Sequence, residues 1–194
     1  MDWNRFQLLS LAIAASVVAI RALLLWLSIR VNPFRATHLN EVCFALGEVV
    51  FAFLILRSTH IVNVPLPALA DFVILSSETA RRVGAVLVGV GVLIFVLALF
   101  SFGNSWRIGI DTRTPGALVT TGLFRLSRNP IFVFLDLYMA GTFLLNGTLV
   151  FLVVAILGAV VLHFQILREE RFLGQRHGEH YREYFANTPR YWIV

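Results

Sequence analysis

Polar side chains are few in this 194-residue sequence, and those suited to chemistry gather in two patches. The first holds Arg125, Arg128 and Asn129, followed by Pro130; the second is the run Arg168, Glu169, Glu170, Arg171. Asn followed by Pro reads as a helix start. An Asn side chain can cap the first turn, and proline at the first helical position has a preset φ and gives up no needed donor. An apolar run over residues 131–145 follows at once. A helix beginning there presents free N–H groups and a positive dipole end beside two arginines, which attracts a carboxylate or a phosphate. The plainer alternative is a membrane helix with basic residues at its mouth. No Ser/His/Asp triad and no metal-ligand spacing is present.

Three further charges lie inside apolar runs: Arg21, Glu48 and Asp136. Such residues face the protein interior and find partners, so an ion pair of Arg21 with Glu48 or Asp136 is expected, structural rather than catalytic. Cys43 is the single cysteine, which excludes an intrachain disulfide and a cysteine zinc site.

The elements that position these residues are membrane helices. The chain is 58% hydrophobic with a mean hydropathy of +0.81, beyond what a soluble domain of this length needs. Five apolar segments are predicted to span, at residues 8–29, 41–62, 83–102, 130–145 and 148–167. The first is long enough to be a retained helix rather than a cleaved signal. Only Asn146 and Gly147 part the last two, which makes them a tight helical hairpin. Gly84, Gly89 and Gly91 in the third segment suit close helix packing. The loop over 63–78 carries Pro65 and Pro67 and is expected to hold an interfacial segment. Residues 179–185 read as a short helix stopped by Asn187 and Pro189, with Tyr181, Tyr184 and Phe185 as its apolar stripe.

All sixteen basic residues are arginine. Arg30 and Arg35, then Arg107, Arg113, Arg125 and Arg128, then the tail arginines fall on one side, which places the C-terminus and both polar patches in the cytoplasm. No basic cluster with interleaved aromatics lies outside the spans, so nucleic acid is not an expected partner. The fold class is therefore all-α: one integral membrane domain over 1–194, with a three-helix part (1–103), then a loop, hairpin and tail (104–194).

Four blocks carry a resemblance: LVTTGLF at 118–124, RNPIF at 128–132, EERFL at 169–173, and GEHY at 178–181 followed by Tyr184. In order and spacing they resemble the isoprenylcysteine carboxyl methyltransferase family, its prokaryotic and archaeal members above all. Asn129 stands where that family has His, and Phe132 where it often has Tyr. Both keep the helix start while removing an imidazole and a phenol.

The resemblance implies a membrane methyltransferase using S-adenosylmethionine, with S-adenosylhomocysteine as product and no metal. Its cofactor pocket would include Leu118, Val119, Phe124, Asn129, Pro130, Ile131, Phe132, one of Glu169 and Glu170, and Tyr181. His163 and Gln165 would line the transfer channel. Arg128 or Arg168 would meet the carboxylate of a prenylated cysteine, a lipid-modified substrate entering from the bilayer among membrane lipids. The rival functions are phospholipid amine N-methylation, an NADPH-dependent membrane reductase, and a non-enzymatic lipid-binding protein.

Overall fold

The structure is a computed structural model that describes residues 1–29, 39–102 and 117–192. Arg30, Arg35, Arg107 and Arg113, counted above for orientation, and the division at 103/104 lie outside the described residues. The helices are α1 (Trp3–Ile29), α2 (Leu39–Ser58), α3 (Glu78–Ser101), α4 (Pro130–Asn146) and α5 (Leu149–Asn187), with a 3₁₀ turn at Gly122–Arg125. Among the described residues there is no strand, only an isolated bridge between Val73 and Thr148.

Among the described residues three helices are long and apolar enough to cross a membrane: α1, α3 and α5. The predicted fourth span, α4, has 17 residues and reaches roughly 25 Å, short of a hydrocarbon core of about 30 Å. On α5, Val153, Ile156, Leu157, Val160, Val161 and Phe164 stand 42–62% exposed. So continuous an apolar band belongs against lipid rather than water.

Close packing of α3 on α4 depends on glycine. A Cβ on Gly84 would meet the Gly141 carbonyl oxygen at 2.6 Å, and one on Gly141 would meet the Gly84 carbonyl at 2.7 Å. Gly91, two turns beyond Gly84, faces the backbone of Phe134. Gly89 does not take part, since nothing lies within 4 Å of its Cβ position. Between the same helices Phe95 and Phe134 stack at 4.4 Å. The Tyr138 hydroxyl on α4 meets Ser10 Oγ of α1 at 2.9 Å.

Gly147 closes the hairpin with φ 68°, and its N–H donates to the Phe143 carbonyl at 2.7 Å. A side chain there would collide with the Leu75 carbonyl. The expected interfacial loop is in fact stitched to this turn: Ile74 and Leu75 N–H groups both donate to the Gly147 carbonyl, at 2.8 and 3.0 Å. The expected tail helix follows a kink in α5: the backbone leaves helical geometry at Gly178 (φ 54°, ψ −125°), and a second helical stretch runs from there to Asn187. Before that kink α5 runs over 149–177, roughly 43 Å, which already exceeds a hydrocarbon core of about 30 Å, so its C-terminal part must project from any bilayer.

Candidate functional site

The two polar patches of the sequence meet at the start of α4. Asn129 is the residue before the helix, and Pro130 is its first residue. The expected cap bond does not form: the Asn129 side chain makes none. Its Nδ2 instead donates to Glu170 Oε1 and to the Arg190 carbonyl, each at 3.3 Å.

Glu170 is the centre of this clasp. Its carboxylate is 7% exposed and receives Arg128 (Nε 3.1 Å, Nη2 3.0 Å) and Arg190 (Nη2 2.8 Å to Oε2, Nε 3.1 Å). Burial alone would raise its pKa, but the Arg190 hydrogen bonds and the Arg128 charge outweigh it and hold the carboxyl below its ordinary range. Arg128 also donates Nη1 to the carbonyls of Phe185 (2.8 Å) and Thr188 (2.6 Å), and its guanidinium lies 3.9 Å over the Phe185 ring. Ser127 Oγ donates to the Arg190 carbonyl at 2.9 Å, and the Arg128 N–H donates to the Pro189 carbonyl at 2.9 Å. The chain beyond α5 is thereby strapped across the start of α4.

Beside the clasp lies an aromatic cluster. Phe124, Tyr181 and Tyr184 are buried together, with Phe102, Leu118, Val119 and Leu173 packed on them. The Tyr184 hydroxyl donates to the Phe124 carbonyl at 2.7 Å. The Tyr181 hydroxyl is buried and has no hydrogen-bond partner among the described residues. Burial first, and the Glu170 charge second, push its pKa up to about 12, so it stays a neutral phenol with a proton to donate. Burial and Tyr181 push Tyr184 upward as well.

One heptad deeper in the hairpin, Asp136 follows Asn129 by seven residues and His163 precedes Glu170 by seven. Two turns along each antiparallel helix bring them to one level. Asp136 lies within electrostatic reach of His163 and of Tyr191, and its Oδ1 is buried without a hydrogen bond among the described residues. His163 Nδ1 and the Tyr191 hydroxyl are 3.0 Å apart, their rings stacked at 6.4 Å. The expected ion pair of Arg21 with Glu48 or Asp136 does not form among the described residues.

The remaining expected site residues divide in placement. Pro130 is buried at the helix start, and Ile131 and Phe132 turn into the main core rather than the aromatic cluster. Gln165 Nε2 donates to Glu169 Oε1 at 3.1 Å, and Glu169 and Arg168 are half-buried. Arg128, expected to meet an acceptor, has its side chain 7% exposed and spent inside the fold. Arg190, Tyr191 and Ser127 were missed. They sit past the apparent stop at Pro189 or beside a motif residue, and no local pattern marks them.

A comparison with curated proteins gives no match. A family profile described as phospholipid methyltransferase matches residues 79–180, from the first turn of α3 through the hairpin and Glu170 to His180. With over half of its length inside that match, the chain belongs to the phospholipid methyltransferase family and is an integral membrane methyltransferase.

Proposed function

We propose that the chain transfers a methyl group from S-adenosylmethionine to a lipophilic acceptor reaching the site from the bilayer. The observation that carries this is the Tyr181 hydroxyl, a buried donor without an acceptor inside an aromatic cluster. An unmet buried polar group costs about 1–3 kcal/mol, a cost that a ligand acceptor removes. The residues suit this cofactor. Phe124, Tyr184, Leu118 and Val119 offer flat apolar surface to an adenine. Glu169 can accept from a ribose hydroxyl or an amino group, and the N-terminal end of α4 suits a carboxylate. We assign Glu170 to the clasp instead, since its oxygens already receive Arg128, Arg190 and Asn129. The cofactor would supply an electrophilic methyl on a sulfonium. The protein's part is to orient the acceptor and exclude water. Five spans with the C-terminus and the site in the cytoplasm remain the topology we favour, on the arginine distribution.

Two acceptors fit. The isoprenylcysteine resemblance favours the carboxylate of a prenylated cysteine, which is already ionised and needs no base; Arg168 is its candidate partner. A second reading, a lipid amine, is favoured by the Asp136 oxygen. An ammonium N–H can donate to that orphaned oxygen, and the adjoining His163–Tyr191 pair leads toward the clasp, a route for the proton the amine must lose before it attacks.

Titration of purified protein with S-adenosylhomocysteine tests the cofactor. Saturable binding, weakened several-fold in Tyr181→Phe, is expected. Binding of NADPH instead would mean a reductase, and binding of neither would leave a lipid-binding protein. Labelled methyl transfer to N-acetyl-farnesyl-cysteine, N-acetyl-cysteine and phosphatidylethanolamine separates the acceptors. Transfer to the farnesyl compound alone, unaffected by Asp136→Asn, supports the carboxylate. Transfer to phosphatidylethanolamine that Asp136→Asn abolishes supports the amine.

A further inference from the structure

The end of the bundle opposite the Glu170 clasp holds a cavity of about 640 Å³, to which all five helices and the 63–78 loop contribute. Its volume falls within the range of small-ligand sites, on the order of 300–1,000 Å³. The length of α4 puts it roughly 25 Å from the clasp, at the opposite end of the bundle.

The floor is apolar, made by the buried Leu54, Leu145 and Phe151. Asn4, Gln7, Asn146 and Thr148 make the wall polar. Asn146 Nδ2 donates to Gln7 Oε1 at 3.2 Å, which leaves the Gln7 amide N–H groups over. Thr148 Oγ1 is buried and has no hydrogen-bond partner among the described residues.

Charge in the lining is unbalanced. Arg57 is fully engaged: both Nη atoms reach Asp71, each at 2.6 Å, and Nε reaches the Val64 carbonyl at 2.8 Å. Arg81, an exposed residue, lines the cavity and makes no ion pair among the described residues, while its neighbour Arg82 pairs with Glu78 at 3.4 Å. His60 also lines it, from an uncommon backbone position. Its N–H donates to the Arg57 carbonyl and the Ile61 N–H donates to Leu56, which together close a Schellman motif on α2. The left-handed residue of that motif is usually glycine, yet here a histidine holds φ 62°. One unmatched guanidinium, an imidazole, spare amide donors and an orphaned hydroxyl together favour an anion rich in oxygen acceptors.

The surroundings say where such an anion comes from. Ile61, Val64, Leu69 and Phe72, around the cavity, are 43–68% exposed, and Trp3 lies in its wall. Exposed apolar loop residues and a tryptophan at a polar mouth are features of a membrane interface. We propose that this cavity binds the phosphate headgroup of an anionic phospholipid in the leaflet opposite the cofactor side, with Arg81 as the charged anchor and Thr148 as a buried hydrogen-bonding group. The proposal depends on the chain spanning the membrane and not on methyl transfer.

The test is a set of titrations of the full chain in detergent, read by thermal shift, with dihexanoyl-phosphatidylglycerol, dihexanoyl-phosphatidylcholine and inorganic phosphate. Saturable stabilisation by the phosphatidylglycerol is expected. Arg81→Gln should weaken it about tenfold, the scale of one lost charge-assisted hydrogen bond. Thr148→Val should weaken it several-fold while leaving the lipid-free protein as stable or more so, an opposition of signs that a purely structural threonine would not produce. Arg82→Gln should change nothing. Equal binding by wild type and Arg81→Gln, equal loss in Arg82→Gln, or equal stabilisation by phosphatidylcholine would overturn the site. Inorganic phosphate binding as tightly as the lipid would overturn its assignment to a lipid.

Discussion

Replacing Glu170 by Gln separates a structural clasp from a cofactor ligand. The side chains of Glu170 and Arg128 are each 7% exposed, so loss of the carboxylate charge leaves a buried guanidinium without its counter-ion. Breaking one side of a buried pair costs roughly 3–5 kcal/mol. Arg190 is 31% exposed and recovers some hydration, which puts the change near the lower end, about 3 kcal/mol. For a chain of this length that corresponds to a fall in Tm of roughly 6–12 °C. The strap over residues 185–191 hangs on the same carboxylate through Arg128 and Arg190, so it should also become open to protease. The assay is thermal unfolding in detergent of wild type, Glu170→Gln and Glu169→Gln, each with and without S-adenosylhomocysteine. Glu170→Gln should melt early even without ligand. Glu169→Gln should melt near wild type yet bind S-adenosylhomocysteine about tenfold more weakly, the scale of one charge-assisted hydrogen bond. A Glu170→Gln protein that melts like wild type but no longer binds the ligand would refute the clasp.

Further expectations follow from particular residues. The clasp implies acid sensitivity. Because the folded-state pKa of Glu170 is depressed, its stabilisation is present above the ordinary value of 4.5 and is lost as pH falls through the folded value. Wild type should therefore lose Tm on acidification below about pH 4.5, more steeply than Glu170→Gln does. At the α3–α4 contact, Gly141→Ala sets a Cβ 2.7 Å from the Gly84 carbonyl and should cost about 1–3 kcal/mol, seen as a lower Tm. Gly89→Ala, with nothing within 4 Å, should leave Tm unchanged or raised; an equal loss at both positions would contradict the packing described. For topology, single cysteines at positions 3 and 192 in a Cys43→Ala background should label from opposite sides in intact cells. Labelling from one side would exclude an odd number of spans.

The sequence by itself determined what depends on composition and on near neighbours. Its apolar content made it a membrane protein, because no water-soluble packing could hide that much surface. Pro130 started α4, Gly147 closed the hairpin through a positive φ, and Asn187 with Pro189 ended the tail helix, each acting within a few residues of itself. Spacing also marked Gly84 and Gly91, two turns apart and so on one helix face, although which of the three glycines met a neighbour could not be read locally.

Partner choice belonged to the tertiary structure. Glu169 and Glu170 are adjacent and chemically alike, but a helix turns 100° between them. Only the packing of α5 on the start of α4 sends one inward to two arginines and leaves the other half-buried. Asn129 had every local reason to cap its helix, and gave that up for a carboxylate 41 residues away. Arg190 and Tyr191 gained their roles when the strap was laid along the hairpin, and the shared level of Asp136 and His163 exists only in the antiparallel register. A helix start or a turn is stabilised by groups a few residues away, so sequence reveals it. A buried charge is stabilised by whatever the fold brings to it, and here those partners come from segments 20 to 42 residues distant.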